Sequence, residues 1–213
     1  GKRGSAAHTA ERAAGDAPPS APDASGAGTS AGRDRAARRR RRKARAEAAG
    51  LGRSRGGLSG KIHAAVDAAG LPLAFVLTPG QAADSPQFQT VLDRVRVPGP
   101  TGRPRTRPDA VAADKAYSSQ ANRAYLRRRR ITAVIPEKTD QQANRKKKGS
   151  AGGRPVSFDP ARYRRRNTVE RCFQKIKTWR GLATRYDKTP ESYEAGLHLR
   201  GAIMWLRALA SAT

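Results

Sequence analysis

The sequence predicts an α/β domain, a mixed sheet flanked by helices, running from about residue 51 to residue 213 behind a basic N-terminal segment. Three observations carry this. Strand-like and helix-like patterns follow one another as hairpin, helix, strand, helix, strand and then helices, an order that packs helices onto a mixed sheet. Residues 1–50 contain no Val, Ile, Leu, Met, Phe, Trp, Tyr or Cys, and a patterned sequence begins abruptly at Leu51. The formal net charge is +27 over 213 residues and is spread along the chain, which calls for a polyanionic partner.

Residues 1–50 are Ala, Gly, Arg, Ser and Pro in shifting proportions, with six consecutive basic residues from Arg38 to Lys43. Such a segment cannot offset the entropy of ordering its backbone by burying apolar surface, so it reads as disordered. Two readings of its origin stay open: a solvated basic arm, or GC-rich coding sequence translated in a shifted frame.

Within residues 51–213, Lys61 to Val66 and Leu71 to Leu77 read as two strands joined by Asp67-Ala68-Ala69-Gly70, a hairpin turn by composition. Ser85-Pro86 can start a helix that carries Phe88, Val91, Leu92 and Val95 inward. A Pro, Gly and Arg linker, Pro98 to Pro108, leads to the short apolar run Ala110 to Ala113, which ends at Asp114. Ser118 or Ser119 can cap a helix through Leu126, and Thr132 to Ile135 reads as another strand. Residues 137–160 are polar and basic, with Arg145-Lys146-Lys147-Lys148 in the middle, and read as an exposed loop. Helices over roughly 161–179 and 190–210 close the chain.

Several function classes are excluded. Cys172 is the only cysteine, so one chain holds no disulfide framework or thiolate zinc site, and His8, His63 and His198 form no ligand spacing. No stretch approaches ~20 apolar residues, which removes a membrane span, and no basic helix carries a broad aromatic face. The N-terminus lacks the order of a signal peptide, so a cytoplasmic, nucleoid-associated location is expected, with nucleic acid as the polyanion.

Tyr163, Arg166, Glu170 and Lys177 stand at offsets 0, 3, 7 and 14. At ~100° per residue they share one helix face, within an arc of about 60°. Val169, Cys172, Ile176 and Trp179 project to a different side as the apolar stripe. From spacing alone, the polar face is either solvated or a site. Asp114, a lone carboxylate just past a short apolar strand, stands where open α/β sheets tend to place ligands, or serves as a helix-start acid. Trp179 and Trp205 could stack on bases, but their helical spacing with Leu182, Leu206 and Leu209 favours core packing.

The spacing Tyr163-x2-Arg166-x3-Glu170-x6-Lys177 matches in full the Tyr-Arg-Glu-Lys signature of the bacterial insertion-sequence DDE transposases, and the chain resembles the C-terminal catalytic-core portion of that family. Further segments are similar to it: Leu51-Gly52-Arg53-Ser54-Arg55-Gly56-Gly57-Leu58, Lys61-Ile62-His63, Leu77-Thr78-Pro79-Gly80-Gln81, Ala113-Asp114-Lys115-Ala116-Tyr117 and Trp179-Arg180-Gly181-Leu182-Ala183-Thr184-Arg185-Tyr186. The resemblance covers about residues 51 to 210.

It implies an RNase H-like fold and metal-dependent DNA strand cleavage and strand transfer at insertion-sequence ends. It implies Mg²⁺ (or Mn²⁺), two ions in an intact site held by two Asp and one Glu, because these hard cations prefer oxygen ligands. Carried over by motif, Asp114 is the second Asp and Glu170 the Glu, both metal ligands, while Tyr163, Arg166 and Lys177 contact DNA or support the site. The implied partners are the element ends and target DNA, with a homo-oligomer or an upstream-frame transposase chain as a protein partner.

The family's first Asp sits on the first strand of its sheet, and here that strand is missing or degenerate. Asp23 lies at a suitable distance before Gly52, but Pro18, Pro19 and Pro22 argue against a strand there, and Asp67 suits a turn. Two readings therefore stay open: a transposase core that cuts and joins DNA, or a non-catalytic DNA-binding remnant or regulator.

Overall fold

The computed structural model describes residues 29–211. Two units divide the chain, Gly1–Arg41 and Arg42–Thr213. The described part of the first is the beginning of helix α1 (Thr29–Ala48), and the second holds every other element. Helix α1 corrects the reading of residues 29–48 as disordered, while residues 1–28 lie outside the described residues. The lack of a buried face said nothing about local backbone preference. Ala and Arg are among the best helix formers, and no Gly or Pro interrupts the run from Arg33 to Ala49.

The second unit begins with three antiparallel strands, β1 (Gly52–Ser54), β2 (Gly57–Val66) and β3 (Pro72–Pro79), in the order β1-β2-β3. The β2–β3 hairpin is the one expected, with Ile62 opposite Leu77 and Ala64 opposite Phe75. Its turn is built by Asp67, whose Oδ1 accepts from the backbone N–H of Ala69 (2.9 Å) and Leu71 (2.7 Å). Gly70, at φ 83°, takes the left-handed conformation the turn needs. Helix α2 (Asp84–Asp93) lies against β2 and β3 and buries Phe88, Val91 and Leu92. Ser85 does not cap it: the N-cap position is Ala83, with no side-chain cap bond.

A second sheet has two parallel strands, β4 (Ala110–Ala112) and β5 (Thr132–Val134), linked by helix α3 (Gln120–Arg128). Ser119 caps α3 by accepting from Asn122 N–H at 3.2 Å. The expected single mixed sheet is thus present as two small sheets. Among the described residues, β2 pairs with β1 only at residues 57–59, so its edge opposite β3 carries no partner beyond Ser59.

Residues 137–160 correct the expected loop. They contain helix α4 (Thr139–Lys147), followed by a 3-10 turn at Gly149–Gly152. The single helix expected over 161–179 is broken into α5 (Pro160–Arg164), a 3-10 turn at Arg165–Asn167 and α6 (Thr168–Lys177). Arg162, Arg165 and Arg166 place like charges three and four residues apart, which disfavours a continuous helix there. Helices α7 (Arg180–Thr184) and α8 (Pro190–Ala210) complete the chain.

Two apolar clusters hold these elements. The larger packs Leu71 and Phe75 beside Cys172, Ile176, Leu182, Tyr193, Leu197 and Met204. Trp179 and Trp205 pack against it, and the Trp205 indole N–H donates to Pro72 O at 2.8 Å, so neither tryptophan is a free stacking platform. The smaller cluster joins Phe88, Leu92, Tyr125, Leu126, Ile131 and Ile135. Burial pushes the Cys172 thiol up to about 11, which makes it an inert core residue. Among the described residues no helix is long and apolar enough to cross a membrane.

His63 supplies a pH-sensitive tie between these strands. Its Nε2 and the Thr78 hydroxyl lie 2.8 Å apart, while Nδ1 is 3.7 Å from Asp84, which also pairs with Lys61 at 3.0 Å. Burial holds the imidazole below its ordinary value of 6.5, with Asp84 opposing that shift and Lys61 adding to it. The folded form therefore binds a proton less readily than the unfolded chain. Stability is full above pH 6.5 and is lost as pH falls through 6.5 toward the lower folded value. Thermal unfolding at pH 7.5 and 5.5 is expected to show a drop in Tm that is smaller in His63→Gln. An equal drop in both proteins would reject this assignment.

Candidate metal and DNA site

The short strand β4 ends where Ala113 N–H donates to Val134 O at 3.4 Å, and the chain then turns through Lys115–Tyr117. Asp114 sits at that exit. It occupies the N-cap position of that turn, but its side chain makes no cap bond there. It faces the α5–α6 segment, and the Arg166 Nη1 is 3.0 Å from its Oδ1. The same guanidinium reaches Glu170 Oε1 through Nη2 at 3.2 Å. One arginine thus joins carboxylates that lie 56 positions apart in the sequence.

Tyr163 completes the group. Its hydroxyl donates to Asp114 Oδ1 at 3.4 Å, the outer limit of a hydrogen bond, and its ring centroid lies 5.7 Å from the Arg166 guanidinium. Phe158 packs at 5.3 Å from the other ring, which limits the positions Tyr163 can adopt. Asp114 and Glu170 are about half exposed, at 51% and 49%. Exposed ion pairs of this kind contribute about 0–1 kcal/mol each, so stability does not explain the arrangement. Arg166 uses one oxygen of each carboxylate, leaving Asp114 Oδ2 and Glu170 Oε2 directed to no partner among the described residues.

Lys177 is not part of this cluster. Two turns along α6 from Glu170, it lines a separate hollow with Gly60, Phe173, Thr184 and Arg185. Glu170 and Lys177 share a face of α6, and it is the two-turn rise along the axis that parts them, while the 3-10 turn at Arg165–Asn167 changes the angular register between Tyr163 and both. Asp67 is committed to its turn, Asp84 to Lys61, and Asp109 to Arg105 at 2.7 Å, whereas Asp23 lies outside the described residues.

Among the described residues the donor set is incomplete for a two-ion metal centre, with Asp114 and Glu170 as two of the carboxylates such a centre needs. Among the described residues there is no group of three or more His, Cys, Asp or Glu side chains able to hold an ion. The two carboxylates present are bridged by a guanidinium, which already supplies the positive charge between them.

Two contacts beside the site were not legible in the sequence. Ser118 Oγ donates to Gln141 Oε1 at 2.8 Å, and Gln141 Nε2 donates back to Ser118 O at 3.3 Å, tying α4 to the segment that carries Asp114. Tyr117 forms a wall beneath that segment, its ring 5.5 Å from Phe88. Burial, with Asp84 and Asp114 nearby, pushes its hydroxyl up to about 12.

Paired carboxylates at the exit of a short parallel sheet, on a chain with net charge +27, are the equipment of a protein that works on a polyanion. The family model of the transposase DDE domain matches residues 27–206, and the chain belongs to that family. It is 31% identical over 148 residues to a protein of Brucella ovis named as a transposase for insertion sequence element IS6501, covering 69% of this chain and 98% of that one. It is also 31% identical over 140 residues to a Burkholderia cepacia protein named as a transposase for insertion sequence element IS402, covering 65% of this chain and 59% of that one. No solved structure matches. DNA transposition is accordingly the function of this family member, and the match reaches back to residue 27, within the segment set apart by composition.

Proposed function

We propose that residues 51–213 are the catalytic-core portion of an insertion-sequence transposase, with Asp114 and Glu170 as two of its metal carboxylates. The observation that carries this reading is the convergence of both on Arg166. The two small sheets are then parts of one RNase H-like mixed sheet whose first strand, with the first Asp, is not among the described residues. Asp23, another copy of the chain or an upstream-frame partner would supply that third carboxylate. Divalent ions, Mg²⁺ or Mn²⁺, would supply the activation of the attacking oxygen in the completed site.

This chain's own residues have the preparatory tasks. Arg166 holds the two carboxylates at one place and offsets their mutual repulsion, and Tyr163 steadies Asp114 through its hydroxyl and Arg166 through its ring. The surrounding Lys and Arg draw DNA phosphates toward acidic groups that would otherwise repel them. A second reading is favoured by the same Arg166 bridge and by the incomplete donor set: a DNA-binding remnant or regulator that does not cut.

The test is nicking of supercoiled DNA in Mg²⁺ and in Mn²⁺ by the purified chain beside Asp114→Ala and Glu170→Ala, with DNA binding measured in parallel. Loss of cleavage in both variants, with binding retained, is the expected result for a working site. Cleavage unchanged in either variant would overturn its assignment. Binding without cleavage by the unaltered chain would establish the remnant reading.

A further inference from the structure

Helix α4 (Thr139–Lys147) has no buried residue, so it contributes nothing to either apolar cluster. A polar helix of nine residues is too short to persist on propensity alone. Polar contacts hold it in place. Glu137, just past β5, pairs with Arg145 across the helix, with side chains only 14% and 17% exposed. Gln141 makes the reciprocal pair of bonds with Ser118, which is 2% exposed and four residues beyond Asp114. Gln141 Oε1 also accepts from Lys138 N–H at 3.4 Å, closing the first turn. The helix is therefore latched at its N-terminal half onto the segment that positions Asp114.

The opposite end is a concentrated positive charge. Lys146, Lys147 and Lys148 are exposed and make no ion pair among the described residues, and Arg145 is already matched by Glu137. The single acid of the helix, Asp140, lies in the first turn, so charge and helix dipole are both separated along the axis. A solvated helix has no need of a two-point latch to a buried serine. A latch is needed if the far end must meet something at a fixed offset from Asp114.

We propose that α4 is a DNA-binding arm: Lys146, Lys147 and Lys148 contact backbone phosphates of a duplex lying across the Asp114–Glu170 site, and the Ser118–Gln141 latch sets the arm's position. This rests on the reading of Asp114 as a site residue acting on DNA. The ligand chemistry is the duplex phosphate backbone, without base readout, because lysine is a flexible point charge that carries no fork geometry.

The experiment measures binding of the full chain to fluorescent 30-base-pair duplexes of two unrelated sequences across a NaCl series. It compares the unaltered chain with Lys146→Gln/Lys147→Gln/Lys148→Gln. A control, Arg53→Gln/Arg55→Gln/Arg103→Gln, removes the same charge from exposed positions of β1, the β1–β2 turn and the 98–108 linker. Each lost phosphate contact lowers the salt slope by about 0.9, so the lysine triple variant is expected to lose about 2.7 from the slope. Its affinity at 0.1 M salt is expected to fall on the order of 100-fold on both sequences, while the control loses less than one slope unit and both variants keep the parent Tm. Gln141→Ala, which removes no charge, is expected to weaken binding several-fold and to leave Tm within a degree or so of the parent.

Equal losses in the two triple variants would reduce α4 to a share of the net charge and overturn the inference. Unchanged affinity in Gln141→Ala would overturn the latch, and tighter binding of an RNA hairpin than of either duplex would overturn the choice of partner. A parent chain that binds no DNA would fail the functional reading itself, whereas a parent that binds with an unaffected lysine variant would fail this inference alone.

Discussion

Raising NaCl from 50 to 200 mM is expected to weaken duplex DNA binding by this chain about 10³–10⁵-fold, the loss that follows from contacts to roughly 6–10 phosphates. The expectation comes from how the charge is carried. The net charge of +27 is distributed over exposed Lys and Arg on several elements, and acidic partners are few, with 17 Asp and Glu against 44 Lys and Arg. Binding driven by such a surface gains its free energy from released counterions, so log affinity should fall linearly with log salt and should be nearly the same on unrelated sequences. Fluorescence anisotropy across the salt series checks both features. A shallow slope with strong sequence preference would instead mean that base-edge contacts dominate, and the account of the charge would be wrong.

The second large effect is expected in the core. Leu197 of α8 is 0% exposed and belongs to the cluster with Leu71, Phe75, Cys172 and Ile176, where β3, α6 and α8 meet. Leu197→Ala removes buried apolar surface and leaves a cavity between elements that are fixed by their own hydrogen bonds, so they can close only partly. A cost of about 2–5 kcal/mol is expected, a large part of the ~5–15 kcal/mol that stabilises an ordinary domain. Urea unfolding followed by circular dichroism reads this directly. Leu206→Ala on the same helix, where the side chain is 65% exposed, is expected to change stability within about 0.5 kcal/mol. Similar losses at the two positions would mean that α8 does not pack through the face assigned to it.

Local signals in the sequence were read well where one residue type had one physical use. Asp67 and Gly70 made the turn of the β2–β3 hairpin, and Ser119 capped α3, because turn and cap bonds close within four residues. The core side of α6 was also legible, since Cys172 and Ile176 recur at helical spacing and are both buried. Reading failed where competing local effects were close in energy. The arginine-rich stretch before α6 looked like continuous helix and is broken by a 3-10 turn, which shifts Tyr163 in register from the α6 face that carries Glu170 and Lys177. The segment 137–160 looked like a loop because its helix is held by Glu137–Arg145 and Ser118–Gln141, pairs between distant or uninformative residue types.

The sequence by itself determined the family, the polyanionic partner implied by the charge, and the candidates Asp114 and Glu170, because composition and motif spacing are properties of the chain in any conformation. Only the tertiary structure decided that Arg166 reaches both carboxylates, that Lys177 stands apart from them, and that the strands divide into two small sheets. Those outcomes depend on helix phase, ladder partners and the direction of long side chains. These are set by contacts between residues far apart in the sequence, and a one-dimensional pattern does not contain them.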